Sequence, residues 1–173
     1  KNLGAGGTLV SLDSDNADSD TLVYNGTNGS DAFTVGFASI FLNARVVVAT
    51  TDVESYTLRG KGGDDTFTLQ AQQGIAILVE GDEPSGSDTL NFAADNSGGD
   101  PVVIVELDSD LPNAPFLQTI EQDGYGIVTH TGIELVNMDI EGGDLYVAGT
   151  RGDDVITFTP LSGDSGVLTA QNI

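Results

Sequence analysis

Residues 56–69 read YTLRGKGGDDTFTL, and the same fourteen-position pattern returns twice without gaps, as LVYNGTNGSDAFTV at 22–35 and LYVAGTRGDDVITF at 145–158. All three fit the frame φ-x-φ-x-G-x-x-G-x-D-x-φ-x-φ, where φ is apolar or aromatic. A fourth copy, ILVEGDEPSGSDTLNF at 77–92, fits once two extra residues enter the turn. The frame glycines are Gly26 and Gly29, Gly60 and Gly63, Gly81 and Gly86, and Gly149 and Gly152. The frame aspartates are Asp31, Asp65, Asp88 and Asp154.

Each copy reads as strand, tight acidic turn, strand. Apolar residues alternate before the first glycine (Tyr56 and Leu58, Ile77 and Val79) and again after the aspartate (Phe67 and Leu69, Leu90 and Phe92). Period two marks a strand with one buried face. Thr34, Thr66, Thr68 and Thr157 take outward positions suited to a β-branched polar residue. Further strand-like runs are Val46–Val48, Val102–Leu107, Gly126–Thr129 and Ile133–Ile140. The expected fold is therefore all-β, a β-solenoid or parallel β-roll-like stack with its acidic Gly-Asp turns along one edge. A β-sandwich of adhesin type is the alternative, favoured if the stretch from Val102 to Ile140 pairs antiparallel. Residues 1–173 are expected to form a single β-repeat domain, a segment of a longer repetitive chain or a filament subunit, because strand-like sequence runs up to Thr169–Ile173.

Composition supports this reading. The acid is lopsided, with 20 Asp against seven Glu, and there are 23 Gly; Asp and Gly favour turns, whereas Glu favours helices. The formal charge of −22, from 27 acidic and five basic residues, argues against nucleic acid and against an anionic membrane surface. No apolar run approaches the roughly 20 residues of a membrane-spanning helix. There is no Cys, which excludes disulfides, zinc–thiolate sites and cysteine nucleophiles.

The core G-x-x-G-x-D-x-φ-x resembles the hemolysin-type calcium-binding repeat, the RTX nonapeptide G-G-x-G-x-D-x-φ-x. GTNGSDAFT at 26–34, GKGGDDTFT at 60–68 and GTRGDDVIT at 149–157 match its first and third glycines, its aspartate and its apolar residue, while Thr27, Lys61 and Thr150 replace its second glycine. The resemblance implies a turn that wraps Ca²⁺ with backbone carbonyls and aspartate oxygens, on a module of a large secreted bacterial surface protein or adhesin. By that analogy the metal ligands are Asp31, Asp64, Asp65, Asp88, Asp153 and Asp154. RTX turns stack at nine-residue intervals, whereas these are far apart in sequence, so each must find a partner turn through the fold. A second acidic run, with Asp13, Asp15 and Asp18, offers closely spaced oxygens but lacks the bidentate Glu of an EF-hand.

Enzymatic signals are sparse. His130 is the only His, and within Val128-Thr-His-Thr131 it reads as an outward strand residue. No nucleophile elbow or phosphate-binding loop occurs. Arg151-Gly-Asp153 spells an integrin-binding tripeptide, yet it is what the frame yields when its variable position is Arg. The expected function is an extracellular, calcium-stabilised structural module at the cell surface, with self-association or tandem neighbours and a surface glycan or cell-surface molecule as possible partners. A glycan-binding or polysaccharide-cleaving β-helix is the alternative.

Overall fold

In a computed structural model, the chain is described over residues 9–10, 19–45, 47–50, 53–82, 87–107, 117–161 and 166–172. The described residues are all-β, with no helix. The strands are β1 (Leu9–Val10), β2 (Thr21–Asn25), β3 (Ala32–Gly36), β4 (Ser39–Leu42), β5 (Val48–Ala49), β6 (Ser55–Arg59), β7 (Thr66–Gln70) and β8 (Ala76–Glu80). They continue as β9 (Thr89–Ala93), β10 (Val102–Glu106), β11 (Gln118–Gln122), β12 (Val128–Thr131), β13 (Leu135–Asp139), β14 (Asp144–Ala148), β15 (Asp154–Pro160) and β16 (Gly166–Asn172).

Two mixed seven-stranded sheets carry the fold. Sheet A runs β1-β5-β4-β3-β7-β9-β13, and sheet B runs β14-β10-β11-β12-β8-β6-β2. Three of the four repeat copies bridge them: the first strand lies in sheet B and the second in sheet A. Thus β2–β3, β6–β7 and β8–β9 form three successive strand–turn–strand units, and β12–β13 adds a fourth. Within both sheets these units are parallel neighbours in register.

That register turns period-two alternation into columns of like side chains. Leu22, Tyr56, Ile77 and Val128 align across sheet B, as do Tyr24, Leu58, Val79 and His130. Across sheet A the columns are Phe33, Phe67, Leu90 and Val136, and Val35, Leu69, Phe92 and Met138. The middle units are sealed, with Leu58, Phe67, Val79 and Leu90 wholly inaccessible. Phe33 and Phe67 stack with centroids 4.9 Å apart and planes 11° from parallel, and Tyr24 meets Phe33 edge-on at 6.0 Å. Such contacts add to area burial, which contributes about 1.5–3 kcal/mol per fully buried large apolar side chain.

Outside these four units the pairing changes. β3–β4–β5 and β10–β11–β12 are antiparallel, so the stretch from Val102 onward contains the antiparallel ladder of the sandwich reading, attached to a parallel stack. His130 corrects its sequence reading: it is 2% exposed, because Val128 two residues earlier fixes the inward phase of β12. The frame copy at 145–158 also departs from expectation. β14 joins sheet B beside β10, but β15 pairs antiparallel with β16 in a separate two-stranded sheet.

Candidate functional site

The turns of the stacked units lie one above another, and their carboxylates form a continuous ladder. The Asp31 N–H donates to Asp65 Oδ1 at 2.7 Å, and the Asp65 N–H donates to Asp88 Oδ1 at 2.7 Å. The Asp88 N–H donates to Glu134 Oε2 at 2.7 Å. Each frame aspartate also offers its carbonyl to the next unit, to Thr66 N, Thr89 N and Leu135 N. Asp65 and Asp88 thus link unit to unit through both backbone and side chain, and Asp31 does so through its backbone.

Glu134 is the member that sequence reading missed. Its signal is Val128-x-His130-x-Gly132-x-Glu134-x-Val136-x-Met138, uninterrupted period two with Gly and an acid in the turn. Glu134 follows Gly132 by two positions, whereas Asp65 follows Gly60 by five, so the frame does not align. A Glu side chain is one methylene longer than Asp and reaches the same N–H from the shortened turn.

The first frame glycine is required by this packing. At Gly60 a Cβ would fall on the Asp65 carboxylate and lie 3.2 Å from the Gly81 carbonyl oxygen. At Gly81 it would overlap the Gly132 carbonyl oxygen and the Asp88 carboxylate. The aspartate folds back into space that only a missing side chain leaves open.

The residue after that glycine divides the turns into two kinds. Thr27 donates its N–H and its hydroxyl to Asp31 Oδ2, the latter at 2.8 Å, while Asn43 Nδ2 donates to Asp31 Oδ1. In the same way Thr150 gives its N–H to Asp154 Oδ2 and its hydroxyl to Asp154 Oδ1, both at 2.7 Å. Lys61 and Asp82 instead adopt left-handed backbone, with φ of 80° and 76°. That is the backbone region that favours glycine. Asp65 Oδ2 and Asp88 Oδ2 are buried and, among the described residues, accept no hydrogen bond.

Ionisation follows these surroundings. Burial pushes the Asp65 carboxyl up to about 6, against the backbone hydrogen bond from Asp31, with the Asp88, Asp31 and Asp64 charges adding to the rise. Asp88 is raised too, by burial first and then by the Glu134, Asp64 and Asp82 charges. At Asp31 burial acts upward, but the Thr27 and Asn43 hydrogen bonds and the Arg45 charge hold the carboxyl below the ordinary aspartate value. His130 Nε2 has no hydrogen-bond partner among the described residues, and burial pushes the imidazole down to about 4.

Comparison with family models, with curated proteins and with solved structures finds no match. The site is therefore judged on its own geometry. Of the sequence-predicted ligands, Asp31, Asp65 and Asp88 share the ladder. Asp64 is exposed beside it, bonded through Oδ1 to the Ser87 N–H at 3.1 Å. Asp153 and Asp154 belong to the separate turn after β14. Asp13, Asp15, Asp18 and Gly86 lie outside the described residues. Among the described residues no three His, Cys, Asp or Glu side chains converge as a metal-holding group. The feature that fits a cation is the pair of unpartnered oxygens at Asp65 and Asp88, with the Asp64 and Asp82 charges close by.

Proposed function

We propose that the chain is a structural module of a secreted or cell-surface protein, an adhesin or filament, built as a short β-solenoid and stabilised by Ca²⁺ at its interior turns. One observation carries this reading: in the three stacked copies the first glycine and the aspartate bond to the backbone of the adjacent unit, so the recurring pattern is a stacking device there.

Calcium has a specific place in it. Asp65 and Asp88 each retain a buried oxygen without a donor, and a divalent cation there would neutralise what burial and like charges penalise. Backbone carbonyls and water would complete the shell, since two carboxylates fall short of the six to eight oxygens that Ca²⁺ takes. Asp31 and Asp154 fit less well, because threonine donors already occupy their carboxylates. The net charge of −22 acts in the same direction by disfavouring the compact state unless cations screen it.

The test is a set of melts in chelator, in Ca²⁺ and in NaCl of matched ionic strength. Specific binding at about 100 times Kd adds about 2.7 kcal/mol, and Asp65→Asn with Asp88→Asn should remove that increment. An equal response to Ca²⁺ and NaCl would sink the metal and leave a screened acidic surface.

A further inference from the structure

Beyond the last stacked unit the two sheets are unequal. In sheet B, β12 is followed by three more strands, β11, β10 and β14. In sheet A, β13 is the terminal strand and pairs only with β9 among the described residues. The facing layer over those three strands is left to the β15–β16 hairpin, which is hydrogen-bonded into neither sheet. Three strands thus face two.

The deficit is visible as a cleft of about 590 Å³. Residues Leu135–Met138 of β13 form one wall and Gly166–Ala170 of β16 the other, over a floor that includes Val105, Gln118 and Val147. A five-residue strand, at about 3.3 Å rise, about 4.8 Å strand spacing and about 10 Å sheet separation, takes up about 800 Å³. The cleft is of that order.

We propose that this cleft accepts an extended peptide segment of a partner protein, added as a strand on β13, uncharged or basic, with apolar side chains at alternate positions. The outer β13 edge, which no described strand pairs, supplies main-chain hydrogen bonds, and the floor selects alternate side chains. Val105 and Val147 make the floor apolar, and Val136 and Met138 do the same for the β13 wall. Among the described residues that line the cleft, Glu134 is the one acid and there is no Lys or Arg, so on a chain of charge −22 an acidic segment is repelled and a basic one drawn in. The β13 edge and the floor lie apart from the Asp65 and Asp88 turns, and Glu134 is the one residue the cleft shares with the carboxylate ladder.

The probe is a labelled peptide, KTFTLQK, which carries the β7 sequence between lysines, titrated against the full chain in Ca²⁺ and again in chelator. An order-swapped peptide, KTTFLQK, has the same composition without the alternation. Saturable binding of the first, about tenfold weaker binding of the second, and new hydrogen-exchange protection at Leu135–Asp139 are expected. Ala170→Trp, which fills the cleft from the hairpin, should weaken binding by about tenfold as well. Should that variant misfold, the protection of β13 in the unaltered chain still decides. Absence of saturable binding at millimolar peptide, equal binding of both peptides, or protection elsewhere overturns the proposal. So does protection of β13 by self-association without peptide, which would assign the cleft to a second copy. Loss of calcium stabilisation with peptide binding intact would overturn only the metal reading.

Discussion

The turn at 60–65 and the turn at 149–154 share one frame and lead to different structures. The first lies between neighbouring units: Asp65 caps the Asp31 N–H and its own N–H is capped by Asp88. The second is closed on itself, with both Asp154 oxygens taken by Thr150. After the first turn Phe67 and Leu69 are buried, whereas after the second Ile156 and Phe158 are 42% and 61% exposed. The motif therefore encodes a turn, and burial of the strand that follows depends on a neighbour at the same level. β7 has β3 and β9 beside it; among the described residues β15 pairs with β16 alone.

Glycine replacement should separate the two most widely. Gly81→Ala drives a methyl into the Gly132 carbonyl of the adjacent unit and should cost about 3 kcal/mol. In Gly149→Ala the new methyl meets only the Asp154 side chain, which can shift, and the cost should be about 1 kcal/mol. Chemical denaturation of both variants checks the ratio; equal losses would mean that stacking does not constrain the interior turn.

Removing the aspartates sharpens the same contrast. Asp88→Ala strands a buried Asp65 N–H and should cost about 2 kcal/mol, whereas Asp88→Asn keeps an acceptor and should stay within about 0.5 kcal/mol in chelator. Asp154→Ala frees Thr150 groups near solvent and should cost about 1 kcal/mol. Urea midpoints at constant m-value read all three.

The pH dependence sets two interior groups against each other. Asp65 is raised from 3.8 to about 6, so its folded state holds a proton that the unfolded state releases. Its contribution to stability is present below pH 4 and lost as pH rises through 6. His130 is lowered from 6.5 to about 4, so its contribution is present above pH 6.5 and lost as pH falls through 4. Each effect is of order 2–3 kcal/mol, and the chain should show a shallow profile between pH 6.5 and 4. In His130→Gln stability should rise on acidification across that window, and in Asp65→Asn it should fall more steeply than in the parent. Melting temperatures from pH 4 to 7.5 test the sign, and a shared profile would refute the opposition.

The smallest effect concerns the second turn residue. Lys61→Gly relieves a left-handed lysine and should stabilise by about 1 kcal/mol, while Thr150→Gly removes the hydroxyl donor to Asp154 Oδ1, leaving the backbone N–H in place, and should destabilise by about 1 kcal/mol. Opposite signs in thermal melts would establish that the two turn types use that position differently.

Much of this architecture was legible along the chain. Alternation at Tyr56 and Leu58, and at Phe67 and Leu69, marked the strands and their inward faces, and Gly60, Gly63 and Asp65 marked the turn. Glu134 was hidden because the frame lost three residues there and the acid changed type. His130 was misread because a polar residue was taken to point outward, although Val128 set the phase.

The sequence by itself determined what is local: strands of period two, turns that need glycine, and an acidic excess without a basic counterpart. These follow from backbone sterics and from which side chains can leave water. The tertiary structure decided which units become neighbours across 34, 23 and 46 residues, and hence which carboxylates accept a backbone N–H and which oxygens are left buried. It also decided that β15 turns away to β16 while β13 is, among the described residues, the terminal strand of its sheet. A strand's partners are set by long-range register and by the space that facing strands leave, and fourteen residues of local pattern carry neither.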